Sequence, residues 1–230
     1  MAAKTSITKA SSFLNRPIKA LRDHEQLGLV AAILLIGLAV SLLTYSGSHV
    51  VAKPTGVHTP VAISSVRPTT SQISDYHVAA DLPKYISIPA IKLGQTRIIA
   101  LGLASGNQIA VPTNVYDAGW YNASAKPGQP GAMFIFAHVA NWTAKGAFFS
   151  LSKLKSGDIV AVVRGDNTIY SYQVAAVKTY PAAAVDMGAV LAPIDRSHPG
   201  LNLMTCTGTV DQKTGAYADR LVVFTRLVSS

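Results

Sequence analysis

The sequence predicts a mostly β domain, a barrel or sandwich of largely antiparallel strands, standing behind a single apolar N-terminal helix. Three observations predict it. Leu27–Tyr45 (LGLVAAILLIGLAVSLLTY) runs for nineteen residues without a charge. From Asp81 onward the chain breaks into short apolar runs separated by turn residues, with little helical period. Over 230 residues, 49% are hydrophobic and 13% charged, which excludes a chain kept disordered by low hydrophobicity and high charge.

Residues 1–26 form a basic N-terminus with five Lys or Arg against two acidic groups. At 1.5 Å per residue, a helix over residues 27–45 is about 28 Å long, close to the hydrocarbon thickness of a bilayer. Lys4, Lys9, Arg16, Lys19 and Arg22 precede it, so the positive-inside rule keeps the N-terminus cytoplasmic and places the remainder outside the cell membrane. A cleaved signal peptide is the rival reading, since Ser46-Gly47-Ser48 are small. The apolar core exceeds a usual signal h-region, which favours an uncleaved single-pass anchor. Residues 46–80, rich in Ser, Thr, Pro, Val and His, lack both periods and read as an extended stalk. Residues 81–230 form the exported domain.

Seven strands are expected there: Tyr85–Ile88, Thr96–Leu103, Met133–His138, Ile159–Arg164, Thr168–Lys178, Leu201–Cys206 and Leu221–Val228. Gly165-Asp166-Asn167 between two of them reads as a hairpin turn. Ala147–Leu154 and Ala182–Leu191 invite a helical reading. Tyr180–Gly200, with three prolines, reads as a long loop leading into the cysteine strand and suits substrate recognition. Residues two apart on a strand share a face. Phe134, Phe136 and His138 therefore point one way, as do Asn202, Met204 and Cys206, and Arg220 is in phase with Val222 and Phe224.

Charge and cysteine usage narrow the chemistry. Residues 81–230 carry thirteen scattered cations with few aromatics between them, a poor match to a nucleic-acid surface and a good one to an anionic envelope. One cysteine excludes an internal disulfide framework and Cys-rich metal sites. Asp186, Asp195 and Asp211 have no ligand spacing, so no metal is expected, and no other cofactor. Asn122-Ala123-Ser124 and Asn141-Trp142-Thr143 match the glycosylation sequon, which short polar stretches do by chance. Trp142, Phe148 and Phe149 could floor a peptide groove, with packing under the barrel as the simpler reading.

An exported thiol invites oxidation, so Cys206 calls for burial as a small hydrophobe, intermolecular pairing or reactivity. A nucleophile needs a base and a stabiliser for the oxyanion. Among six histidines only His138 closes an apolar strand within the domain. Arg220 supplies a permanent cation with a planar donor fork. Ordinary values are about 8.5 for Cys and about 6.5 for His. Burial near Met204 should raise the thiol and Arg220 should lower it, with burial winning at least in part.

LNLMTCTG around Cys206, followed by RLVVF from Arg220, resembles the signature of the sortase family. PGQPGAMFIFAHVANWTAKGAFFSLSKLKSGDIV resembles the histidine region of that family. DAGWY and TCTGTVDQKTGAYADRLVVF are most similar to class E and class F sortases. The resemblance covers residues 81–230 and implies a closed eight-stranded β-barrel with short helices behind the transmembrane helix. It implies that Cys206 attacks a peptide carbonyl to form a thioacyl enzyme, that His138 carries the proton, that Arg220 holds the substrate and oxyanion, and that Thr205 shapes the oxyanion site. The implied partners are secreted proteins bearing an LPXTG-type sorting signal, and an amine acceptor such as a cell-wall precursor or a pilin lysine. Asn202 stands where the family often has Thr, Ala137 where Gly is common, and Thr225 where Ala is usual. None of the three removes a reacting group. Two other readings remain: a wall-building L,D-transpeptidase, whose Ser-His-Gly-Cys motif LMTCTG does not match, and a catalytically silent or hydrolytic peptide-binding barrel.

Overall fold

The computed structural model describes residues 62–230. Eight strands close into a barrel: β1 (Pro83–Ile88), β2 (Leu93–Leu101), β3 (Ala118–Tyr121), β4 (Ala132–Ala137), β5 (Ile159–Arg164), β6 (Ile169–Pro181), β7 (Gly200–Val210) and β8 (Tyr217–Ser229). Around the barrel the order is β1-β2-β3-β4-β7-β8-β6-β5. The closed, mostly β architecture expected from the sequence is present. Six of the eight pairings are antiparallel, while β2–β3 and β4–β7 run parallel. The span expected at residues 27–45 lies outside the described residues, and no helix among the described residues is long and apolar enough to cross a membrane.

Strand burial follows the composition of each strand. β5 alternates, with Val160 and Val162 inward and their neighbours partly exposed. β4 is buried at every position, because Met133, Ile135 and Ala137 enter the barrel core while Phe134 and Phe136 join a second apolar cluster on its outer side. Its unbroken apolar run AMFIFA is the pattern of a strand covered on both faces. Each fully buried Phe or Ile there contributes about 1.5–3 kcal/mol of transfer free energy.

Three expectations change. β3 was not among the expected strands: four residues with a central glycine carry too little pattern, and the strand exists through pairing on both sides. Ala147–Leu154 holds only a 3-10 turn at Leu151–Lys153, because Ala147 N–H and Phe148 N–H are already donated to Val115 O and His138 O. Ala182–Leu191 splits into a 3-10 turn (Ala182–Ala184) and the one-turn helix α2 (Met187–Val190), restarted when the Asp186 carboxylate accepts from Ala189 N–H.

The stalk reading also needs correction over its described part. Residues 62–80 lie along the barrel and contain α1 (Thr70–Ser74), closed by a capping box between Thr69 and Gln72. The Tyr76 hydroxyl donates to Ile98 O at 2.6 Å, the Tyr85 hydroxyl donates to Ile73 O, and the Arg67 guanidinium stacks 4.0 Å above the Tyr116 ring. These contacts are made by isolated aromatic and polar groups, which leave no periodic trace in a Ser/Thr/Pro-rich stretch.

β3 packs tightly against its neighbours at Gly119, opposite Phe136, where a Cβ would come within 2.7 Å of Leu101 Cδ1 and 2.8 Å of the Phe136 ring. Gly119→Ala is therefore expected to destabilise the barrel by about 1–3 kcal/mol, as overpacking does, read as a lowered melting temperature. An unchanged melting temperature would mean that β3 shifts freely.

Candidate functional site

Two strand registers bring the three sequence-predicted side chains together. β4 and β7 pair in parallel with Phe136 beside Met204, so His138 and Cys206 each lie two residues further along adjacent strands. β7 and β8 pair antiparallel with Cys206 directly opposite Arg220. Phe134, Phe136, Met204, Val222 and Phe224 all belong to the outer apolar cluster. By strand alternation, His138, Cys206 and Arg220 share that face, clear of the barrel interior. All three are half-buried.

Thr205 does something other than expected. Its side chain alternates to the opposite face of β7, is buried, and donates its hydroxyl proton to Ala137 O at 2.8 Å. It therefore fastens β7 to β4 next to His138, and its hydroxyl is not part of the face that carries Cys206.

Each reactive group has a defined surrounding. The His138 ring bonds through Nε2 to Pro112 O at 2.8 Å. A carbonyl only accepts, so Nε2 carries the hydrogen and Nδ1 is the exchangeable nitrogen. Burial pushes the Cys206 thiol above its ordinary value, and the neighbouring Arg220 charge pulls it down by less. Arg220 spends Nη1 on Asp219 O at 2.9 Å and Tyr217 O at 3.1 Å, which fixes the plane of the fork and leaves the N–H groups of Nε and Nη2 for a ligand.

Loops flank this face. Val185, Met187, Val190 and Leu191 from the β6–β7 connection pack into the cluster, as do Leu101, Ile109 and Tyr121. Asn202, buried under the connection, donates both Nδ2 hydrogens, to Val190 O at 2.7 Å and Ala192 O at 2.8 Å. The residue that departs from the family's usual Thr thus ties the loop to the sheet. A cavity of about 270 Å³ lies elsewhere, between Arg67, Lys92, Arg97, Tyr116 and Lys145, and none of the three reactive residues lines it.

The remaining candidates separate. Trp142 is 79% exposed, and its indole lies over Gly215 in the β7–β8 turn; Phe148 is fully buried and Phe149 is 41% exposed. The three aspartates are engaged locally: Asp186 caps α2, Asp211 holds its own turn through Lys213 N–H and Thr214 N–H, and Asp195 bonds Ser197 and His198, which brings its carboxyl down to about 2. Thr225 donates its buried hydroxyl to Leu201 O.

Pro112, Asn114 and Gly146 are not among the sequence candidates, and Asn141 enters there only through its match to the glycosylation sequon. A Cβ on Gly146 would meet His138 O at 2.1 Å, so only glycine admits this approach to the histidine backbone. Asn141 Oδ1 accepts from Thr143 N–H and Ala144 N–H, an Asx-type turn that the sequence shows as Asn followed by a polar residue two places on.

The sortase domain family model matches residues 86–228. No curated relative matches the chain. Among solved structures, a lid mutant of sortase A from Corynebacterium diphtheriae aligns at TM-score 0.50 and 22% identity over 74% of this chain and 84% of that one. A mutant of sortase C-1 from Streptococcus pneumoniae aligns at TM-score 0.50 and 21% identity over 73% and 74%. At that identity the structures speak for the fold, while the family model spans well over half of the chain. The chain therefore belongs to the sortases, a family of cysteine transpeptidases.

Proposed function

We propose that this chain is a membrane-anchored cysteine transpeptidase that cuts an LPXTG-like sorting signal after Thr and passes the protein to an amine on the cell envelope or on a pilin. The reading rests most on one observation: the parallel β4–β7 and antiparallel β7–β8 registers put His138, just past the end of β4, on one face beside Cys206 within β7 and Arg220 within β8. The apolar strip leading away from them, beneath a pinned loop, suits an extended peptide with apolar side chains. The Tyr180–Gly200 connection takes the recognition role in this reading. The exposed, net-basic exterior and the uncharged run at residues 27–45 suit a catalytic domain held outside the cell. Sequence likeness at DAGWY and around Cys206 favours class E or F.

The reaction runs as follows. The Cys206 proton moves to His138 Nδ1, and the thiolate attacks the scissile carbonyl carbon. Negative charge develops on the carbonyl oxygen, toward which Arg220 directs its Nε and Nη2 hydrogens. The C–N bond breaks as imidazolium returns its proton to the leaving amine, and a thioester remains on Cys206. The acceptor amine attacks that thioester, His138 removes the amine proton, and Cys206 leaves as thiolate to regain a proton. With Nε2–H held by Pro112 O, a single nitrogen serves as acid and as base.

Cys206→Ala removes the nucleophile and few packing atoms, and should abolish cleavage of sorting-signal peptides without changing the melting temperature. Mass spectrometry of peptide and amine mixtures checks it; cleavage at the wild-type rate would sink the enzyme reading, and a wild type that binds peptide without cutting it would establish the silent barrel.

Arg220→Lys keeps the charge but loses the planar fork, and should lower kcat by about 10²–10³. Retention of more than about a third of the activity would make Arg220 a structural residue.

Because the Cys206 thiol is raised by burial, the protonated form dominates at neutral pH and the thiolate appears only as pH climbs past the ordinary thiol range. Alkylation by iodoacetamide should still be accelerating at pH 9, and Arg220→Gln should move that rise to higher pH, since the lowering charge is gone. An alkylation rate already level at pH 7 would contradict both signs.

A further inference from the structure

The segment Ile63–Val66 joins the two loops that hold His138. On one side it forms a parallel bridge with the loop before β3: Ser64 N–H donates to Thr113 O at 2.7 Å and Val115 N–H donates to Ser64 O at 2.9 Å. Asn114 Nδ2 adds a bond to Val66 O at 2.9 Å. On the other side Asn141, three residues past His138, donates from Nδ2 to Ser65 Oγ at 2.7 Å and to Ile63 O at 3.4 Å. Ser65 Oγ also bonds Thr143 Oγ1 at 2.6 Å. The Asn141 side chain cannot turn away, because its Oδ1 accepts from Ala144 N–H at 2.8 Å and Thr143 N–H at 3.1 Å.

These bonds matter because of what the first loop presents. The stretch between β2 and β3 includes Pro112, whose carbonyl receives His138 Nε2–H. Connecting loops are mobile unless tied, and this carbonyl chooses the tautomer only while it stays in place. Two residues after Pro112 the loop is clamped from Asn114 by both main chain and side chain, and the clamp is the segment that precedes α1.

We propose that Ile63–Val66 is a positioning strap: by bonding Thr113–Val115 and Asn141 together, it holds the Pro112 carbonyl where it selects the Nε2–H tautomer of His138 and leaves Nδ1 to exchange the proton. The inference rests on the reading of His138 as proton carrier. Ser65, Asn114 and Asn141 touch no reacting atom and act through the histidine. Among the described residues, those nearest in sequence to the proposed anchor thus complete the frame of the site.

The test uses the chain in detergent micelles with Ser65→Ala, which removes the hydroxyl bonds to Asn141 and Thr143, and Asn114→Asp, which loses the Nδ2 donor to Val66 O while keeping the oxygen that accepts from Tyr116 N–H, singly and combined. Lys126→Ala, which breaks an ion pair with Asp81, is the control. Imidazole ¹⁵N shifts, assigned with His138→Gln, report the tautomer; steady-state kinetics report kcat and KM. The strap predicts that neutral His138 passes from Nε2–H to a mixture of tautomers, and that kcat falls about 10- to 100-fold, as misplacement of a reacting group does, with KM within about twofold and the control unchanged. Folded variants that keep the Nε2–H signature, a loss seen in KM alone, or an equal loss in the control would each overturn it. If the combined variant does not fold, the single variants are decided by the same criteria. The tautomer spectrum needs no substrate, so a chain that cuts no peptide would refute the functional reading and still decide the strap.

Discussion

The parallel pairing of β4 with β7 is the constraint on which the rest of the site depends. β4 stands between β3 and β7, and β7 between β4 and β8, so one register aligns His138 with Cys206 and the next aligns Cys206 with Arg220. A one-residue slip in either pairing would turn every side chain of the slipped strand to the other face. The slip is opposed on both faces at once, by Met133, Ile135 and Ala137 in the core and by Phe134 and Phe136 outside. Thr205 adds a hydrogen bond to Ala137 O one step before the reactive residues. The rigidity of the site is thus a by-product of double-sided burial.

The site balances two opposing demands on one thiol. Apolar neighbours that define a groove also withdraw water from Cys206 and favour its neutral form, and Arg220 offsets only part of that effect. The guanidinium is held by Tyr217 O and Asp219 O, so it remains in place whether or not the thiol is ionised. A cysteine that rests as thiol is also less open to oxidation than one that rests as thiolate, so the same burial that raises Cys206 protects it.

Period-2 alternation and three separated motifs made the barrel and the juxtaposition of three side chains legible in the sequence: Phe134, Phe136 and His138 do share a face with Met204, Cys206 and Arg220. What was not legible depends on partners remote in sequence. β3 has four residues and two neighbouring strands, and only the neighbours make it a strand. Ala147 and Phe148 look helical until their N–H groups are seen to be spent on Val115 and His138. The family resemblance implies that Thr205 shapes the oxyanion site, whereas strand alternation sends its side chain to the other face, where its hydroxyl bonds Ala137 O. Residues 62–80 have the composition of a linker and the hydrogen bonds of a folded segment, because backbone bridges and single aromatic contacts do not depend on hydrophobic period.

The same parallel pairing has a consequence for when the site comes into being. Phe136 and Met204, the pair that sets His138 beside Cys206, are separated by a long stretch of chain that includes β5, β6 and the β6–β7 connection. Contacts of that separation cost more loop entropy and form late, after local hairpins such as β5–β6 have closed. During synthesis and folding the thiol and the imidazole therefore belong to distant parts of an open chain. They become neighbours only in the finished barrel, so the pairing of thiol with imidazole is itself a product of complete folding.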